Sequence, residues 1–286
     1  MRVLVTGATG QLGLDVVTAC TAAGDDVAAA PRGVLDVGDR DAVLGTVLST
    51  APDVVIHAAA WTAVDDCEAD PERAFRDNTL AVRHVAEACR RAGAHLVHVS
   101  TDYVFDGEQP RPYVEWDTPN PRSVYGQSKL GGELEALRGL PGATVVRTSW
   151  VCSAHGRNMV RTVLGLLDAD PHRELAFVDD QLGCPTFTAD LAPLLRRLAV
   201  ERRPGVFHAT NQGPVSWFEF VQAVVVAAGG RAEQVRPITT AQLDPPRPAP
   251  RPANSVLDNA ALRASGVPLL PHWSEPLERT VKELLS

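Results

Sequence analysis

The first thirteen residues restrict the fold more than any other stretch. Arg2-Val3-Leu4-Val5 is a short apolar run, and it leads directly into Gly7-Ala8-Thr9-Gly10-Gln11-Leu12-Gly13 and a helical segment that lasts to about Ala23. Strand, glycine turn and helix in that order bring backbone N–H groups to one point. Glycines there remove the Cβ atoms that would keep a phosphate away, and a helix N-terminus favours negative charge. The spacing is Gly-x2-Gly-x2-Gly, which departs from the strict Gly-x-Gly-x2-Gly dinucleotide fingerprint. A tight βα turn that uses glycine only for geometry is the plain alternative.

The alternation continues. A second strand around Val27 to Ala30 is followed by Pro31-Arg32-Gly33 and Leu35-Asp36-Val37. An acidic residue ending this strand would suit a ribose 2′-hydroxyl, whereas a nearby Arg suits a 2′-phosphate. Arg32 therefore tilts the expected cofactor toward NADPH, with NADH also admitted. Residues 39–49 read as a helix, and Asp53 to Ala60 reads as a buried strand running into the small residues Ala58, Ala59 and Ala60, which leave room for a ligand at the sheet's carboxyl edge. His57 reads as a hydrogen-bonded core histidine. Asp70 and Pro71 open a long helix, with Asp70 as cap and Pro71 at its first position, ending near Gly93. His95 and His98 lie an odd number of residues apart on one strand, so they face opposite sides and cannot share a metal.

That strand delivers Ser100-Thr101-Asp102-Tyr103-Val104-Phe105-Asp106-Gly107, and the next helix, over 123–138, carries Tyr125-Gly126-Gln127-Ser128-Lys129. Tyr125 and Lys129, four residues apart, share one helix face. An ammonium beside a phenol favours the phenolate and is expected to lower its pKa from about 10. A phenol tuned in this way suits proton transfer near neutrality. The strand Thr144 to Trp150 follows, and the segment through it reads as six successive βα units of a Rossmann-like sheet.

Beyond Trp150 the pattern changes. Helices are expected at 155–169, 188–200 and 216–228, strands at 175–178 and 205–209, and polar or proline-rich loops at 179–186 and 244–253. Ser216 and Glu219 form a capping-box pair. The expected architecture is α/β, a doubly wound parallel sheet with a smaller C-terminal lobe. Residues 1–150 plus about 188–211 make the nucleotide-binding domain, and about 151–187 and 212–286 make the lobe.

The net charge of −8 argues against a nucleic-acid or anionic membrane partner, so any anionic ligand must meet a local basic site. The five cysteines, odd in number and with no Cys-x2-Cys pair, suggest neither a disulfide framework nor a zinc site, and a reducing cytoplasm fits them best. No signal peptide and no apolar run of transmembrane length is read.

Taken together, the turn at 6–13, the run from Ser100 and the Tyr125-x3-Lys129 pair resemble the extended short-chain dehydrogenase/reductases. Arg147-Thr148-Ser149-Trp150-Val151, Asp180-Gln181-x-Gly183-x-Pro185-Thr186 and Arg251-Pro252-Ala253-Asn254-Ser255 narrow the resemblance to the dTDP-4-dehydrorhamnose reductase family over the whole length. The resemblance implies reduction of a dTDP-4-keto-6-deoxyhexose at C4, with dTDP-4-dehydro-L-rhamnose going to dTDP-L-rhamnose. Another dTDP-6-deoxysugar, or a non-catalytic NADP-binding regulatory subunit, are the alternatives.

It implies Tyr125 as proton donor, Lys129 as its partner on the nicotinamide ribose, and Thr101 as a hydrogen-bonding third member. Cofactor contacts are expected from Gly7, Gly10, Gln11, Leu12, Gly13, Arg32, Asp36, Val37, Ala58, Ala59, Ala60, Ser100, Tyr125 and Lys129. Substrate contacts are expected from Thr101, Asp102, Val104, Phe105, Trp150, Asn158, Gln181, Arg251 and Asn254. Relatives that hold Mg2+ at a homodimer contact use glutamates; this chain offers Asp15 and Asp190, so that ion is not assigned, while a homodimer stays among the expected partners. Cys152 stands where relatives commonly carry Tyr.

Overall fold

The structure is a computed structural model that describes residues 1–286. Six strands form the main sheet: β1 (Arg2–Thr6), β2 (Asp26–Ala30), β3 (Val54–His57), β4 (His95–Thr101), β5 (Thr144–Thr148) and β6 (Gly205–His208). Their order is β6-β5-β4-β3-β1-β2, and every pairing is parallel. Helices α1 (Gln11–Ala22), α2 (Arg40–Thr50), α3 (Ala81–Ala92) and α4 (Val124–Gly139) make the successive crossovers. Helix α5 (Met159–Ala169) leaves the sheet, and α6 (Thr188–Val200) returns to it.

Only five of the sheet's strands precede Trp150, one fewer than the count of βα units expected there. The sixth is the segment beginning at Gly205, which rejoins the sheet at the edge beside β5.

Strand periodicity sets the two cores. Val3 and Val5 point to one face of the sheet, where they meet Leu12 and Val16 of α1 and Leu191, Leu195 and Leu198 of α6. Leu4 points to the other face and joins Val43 and Val47 of α2, Val82 and Val85 of α3, and Ala136 of α4. Leu262, Val267 and Leu270, from late in the chain, also sit in the first of these cores. A third core holds Val160 and Val163 of α5 together with Phe220, Val221 and Val224 of α7 (Trp217–Ala227) and Leu277 and Val281 of α8 (Ser274–Leu285). Three short two-stranded sheets frame it.

Local signals hold where chemistry is local. Asp39 accepts from the N–H groups of Asp41 and Ala42 at the start of α2, Asp70 caps the helix opened by Pro71, and Ser216 and Glu219 close a reciprocal box on α7. The long helix expected from Asp70 to Gly93 is not uniform. A π-helical turn, Arg76–Leu80, interrupts it and buries both Asp77 and Asn78.

The chain passes from one side of β1 to the other between β2 and β3, so a crevice opens at the carboxyl ends of β1 and β3. Gly7 and Ala58, the residues that follow these two strands, both line it.

Candidate active site

Close packing explains two of the three glycines in the first turn. Gly7 has φ +68°, and a Cβ there would lie 2.7 Å from the Ala59 nitrogen, while one on Gly13 would lie 2.1 Å from the Gly7 carbonyl oxygen. Gly10 is the N-cap of α1 and provides no side-chain partner, which leaves the first-turn N–H groups free for a ligand. A cavity of about 190 Å³ beside the turn is lined by Gly7, Gly10, Arg32, Asp36, Val37 and Ala58 to Ala60. A larger one, about 380 Å³, gathers Gly10 to Gly13, Ala58, Ala60, Ser100 to Asp102, Tyr125, Lys129 and Trp150. Thr148 Oγ1, on the wall of this second cavity, is buried without a hydrogen-bond partner. An uncapped helix N-terminus, a cradle without Cβ atoms and an orphaned hydroxyl fit a dinucleotide laid across the turn.

Tyr125 and Lys129 reach this cavity because α4 can press against the turn after β4. Ser123 caps α4, and a Cβ on Gly126 would lie 2.2 Å from the Tyr103 carbonyl oxygen, so glycine is required at that approach. The Tyr125 ring meets Tyr103 edge to face at 5.4 Å. Lys129 Nζ donates to the Val99 carbonyl at 2.7 Å. Beneath it, His57 and His98 stack at 5.4 Å, and Thr6 Oγ1 lies 2.7 Å from His57 Nδ1. Burial, reinforced by Lys129, pushes His57 down to about 3 and His98 well below its usual range, so both rings are neutral. His95 faces the other way and meets Thr144 Oγ1 at 2.8 Å.

The electrostatics correct one expectation. Burial raises the Tyr125 phenol above its ordinary value, with a hydrogen bond to Thr101 acting in the opposite sense, and burial lowers Lys129 to about 8, with Glu133 holding it up. Desolvation of both groups outweighs the expected help from the ammonium. Tyr125 is therefore held as the neutral phenol, the form that donates a proton. Thr101 Oγ1 donates to Asp102 Oδ1 at 2.9 Å and accepts from Tyr103 N at 3.2 Å. Burial pushes the Asp102 carboxyl up to about 6, with hydrogen bonds from Ser255 and Thr101 pulling it back.

A third cavity, about 430 Å³, adjoins the second through Tyr103 and Trp217, which line both. It contains Gln181 and Arg251 from the expected set, along with Met159, Phe177 and Arg247. Arg251 is not free there. Its guanidinium forms two hydrogen bonds to Asp65, at 2.6 and 2.8 Å, drawing the proline-rich loop against the sheet domain. Trp150, at φ +45°, stacks on Trp217 with centroids 3.6 Å apart, and Gly183 makes room for it.

Four expected substrate contacts do not line these two cavities. Val104 and Phe105 are buried in a small core with Tyr113 and Leu257, because the turn after β4 points them away from the cavity. Asn254 gives its amide hydrogens to the carbonyls of Gln109 and Arg111. Asn158 caps α5 and donates to Gln11 Oε1 at 3.0 Å. No group of three or more His, Cys, Asp or Glu side chains converges as metal ligands.

With this geometry in place, the family model described as the RmlD substrate binding domain matches residues 1–286. The chain belongs to the RmlD family. The crystal structure of dTDP-4-dehydrorhamnose reductase from Bacillus anthracis str. Ames in complex with NADP superposes with a TM-score of 0.94, at 35% identity over 99% of both chains. The dTDP-4-dehydrorhamnose reductase of Streptomyces griseus is 42% identical, over 99% of this chain and 94% of that one. A probable dTDP-4,6-dihydroxy-2-methyloxan-3-one 4-ketoreductase of Streptomyces antibioticus is 41% identical over 100% and 96%.

Some cavity residues of this RmlD-family chain carry no signal in the sequence. Trp61 and Asp77 line the first cavity, Tyr103 and Trp217 the other two. Tyr103 lies inside the motif from Ser100, and Trp217 follows the capping Ser216. Local chemistry accounts for both positions and hides the second role.

Proposed function

We propose that this chain reduces the C4 ketone of dTDP-4-dehydro-L-rhamnose to dTDP-L-rhamnose, taking NADPH, and also NADH, as hydride donor. The observation that carries this reading is the neutral, buried phenol of Tyr125 beside Lys129, in the cavity that takes in the glycine turn and adjoins an arginine-bearing one. When bound, the nicotinamide supplies the hydride. Everything else is done by side chains and backbone.

The free N–H groups at the start of α1 would hold the pyrophosphate, with Gln11 and Leu12 beside it, and Arg32, Asp36 and Val37 would hold the adenosine end. Lys129, fixed by the Val99 carbonyl, would hold the nicotinamide ribose. Tyr125 would give its proton to the C4 oxygen as negative charge develops there. Thr101, which lines the same cavity, would hydrogen-bond the phenol and hold it in place. Trp150, braced by Trp217, would cover the sugar ring, and Gln181 and Arg251 would meet the nucleotide diphosphate. Orientation and one proton are the protein's contributions.

In this reading residues 1–150 with 188–211, joined by the segment around Leu262 to Leu270 that packs into the sheet's core, form the cofactor domain, and 151–187 with the rest of 212–286 form the lobe that recognises the nucleotide sugar. The five cysteines are all free and buried, which suits a reducing, cytoplasmic setting. No helix is long and apolar enough to cross a membrane. The Streptomyces antibioticus relative supports a second reading, a 4-ketoreductase for another dTDP-6-deoxysugar.

The test is oxidation of NADPH with dTDP-4-dehydro-L-rhamnose and, separately, with dTDP-4-dehydro-6-deoxy-D-glucose, the products being identified by NMR. Turnover of the L-sugar to dTDP-L-rhamnose is expected. Turnover of the D-sugar alone would favour the second reading, and no oxidation with either, despite cofactor binding, would point to a non-catalytic regulatory subunit.

A further inference from the structure

The chain carries a net charge of −8, yet three guanidiniums converge beside the first cavity. Asp77 is their meeting point. Arg76 Nε donates to Asp77 Oδ1 at 2.8 Å, Arg73 Nε lies 3.5 Å from Oδ2, and Arg32 Nη2 lies 3.9 Å from the same oxygen. The Asp77 carboxylate is 10% exposed, whereas the side chains of Arg32, Arg73 and Arg76 are 67%, 37% and 51% exposed.

The arginines come from two separate segments. Arg32 follows β2, and Arg73 and Arg76 flank the start of the π-helical turn that directs Asp77 inward. Arg73 is also held over the Trp61 ring at 4.1 Å, and Asn78 clamps the Trp61 backbone through its N–H at 2.8 Å and its carbonyl at 3.0 Å. Arg32, Trp61 and Asp77 line the cavity, as does Asp36, whose Oδ1 already accepts from Gly38 N at 2.9 Å. Three guanidiniums gather here among the carboxylates of Asp36, Asp70 and Asp77. One buried acid cannot satisfy fifteen N–H donors, so most remain available to an incoming anion.

We propose that Arg32, Arg73 and Arg76, gathered by Asp77, form a receptor for a phosphomonoester dianion on the ribose of a bound adenosine, so that Arg73 and Arg76 join Arg32 in selecting NADPH over NADH. The proposal rests on the reductase reading and assigns selectivity to residues from two segments. Asp77 is the positioning residue, since it touches the arginines and holds them near one point. Asp36 remains in the same cavity as an acceptor for a free ribose hydroxyl, which explains how NADH would still be admitted.

The test is equilibrium binding followed by quenching of tryptophan fluorescence, for which Trp61 is a reporter inside the cavity. NADPH and NADH are titrated into the wild type and into Arg32→Ala, Arg73→Ala and Arg76→Ala, with 2′,5′-ADP and 5′-AMP as competitors for the wild type. Each variant is expected to weaken NADPH about five- to tenfold, an exposed charge-assisted contact discounted for solvent, and to change NADH by less than about twofold. In the wild type 2′,5′-ADP should compete better than 5′-AMP. Arg73→Lys and Arg76→Lys, which keep the charge, should recover part of the NADPH affinity and guard against a folding defect.

Loss of NADPH affinity in Arg32→Ala alone would overturn the three-arginine receptor, as would equal weakening of both cofactors in Arg73→Ala and Arg76→Ala. Failure of the wild type to bind either cofactor would overturn the reductase reading itself.

Discussion

Lys129 donates a 2.7 Å hydrogen bond to the carbonyl of Val99, which fixes its ammonium over β4 one helical turn from Tyr125. Burial lowers this ammonium from its ordinary 10.5 to about 8. Below about pH 8 the cofactor-free protein therefore carries a charge that favours an anionic dinucleotide, and above it the charge is lost. NADPH affinity should fall as pH rises through about 8, and Lys129→Met should remove that inflection. Stability moves the other way. An unfolded chain keeps the lysine proton up to about 10.5, so between about pH 8 and 10.5 it binds more protons than the folded one, and this residue's contribution to stability rises with pH. Fluorescence titrations and urea denaturation across that window check both signs.

Glu133 and Arg147 form a pair that is almost wholly buried, with two hydrogen bonds of 2.9 and 2.7 Å, and Ser100 Oγ donates a further one to Glu133 at 2.6 Å. Glu133→Gln leaves Arg147 without a countercharge and should cost about 3–5 kcal/mol. It should also lower the Lys129 inflection, because Glu133 is the charge that holds that pKa up. Urea denaturation and the pH profile of NADPH binding measure the two effects. A loss below about 1 kcal/mol would mean the pair is not isolated from water.

Gly13→Ala places a methyl group 2.1 Å from the Gly7 carbonyl oxygen, where backbone must move, whereas a Cβ on Gly33 would meet nothing within 4 Å. The first substitution should cost about 2–4 kcal/mol or abolish NADPH binding, and Gly33→Ala should stay within about 0.5 kcal/mol. Thermal denaturation with and without NADPH separates the two.

Legibility of this site in the sequence followed the range of the forces involved. Gly7, Gly10, Gly13, Tyr125 and Lys129 are visible because their spacing along one turn or one helix face determines where they point. The strands are visible as apolar runs buried on both faces. The contact of Asp65 with Arg251 spans 186 residues, and the stacking of Trp150 on Trp217 joins two segments that no local rule connects. Val104 and Phe105 belong to a readable motif, but its turn directs them into a core of their own. The direction of the Tyr125 shift was misread for a similar reason. Spacing reveals the neighbouring ammonium and is blind to the desolvation that overrides it. The π-helical turn at Arg76–Leu80, which brings Asp77 to three arginines, leaves no periodic trace.

The most direct test of the account compares Tyr125→Phe with the wild type in NADPH oxidation driven by dTDP-4-dehydro-L-rhamnose, with NADPH affinity measured on the same preparations. Tyr125→Phe removes only the donated proton, so turnover should fall about 10²-fold or more while NADPH binds as tightly as before. Turnover within about threefold of the wild type, at unchanged cofactor affinity, would contradict the assignment of Tyr125 as the proton donor.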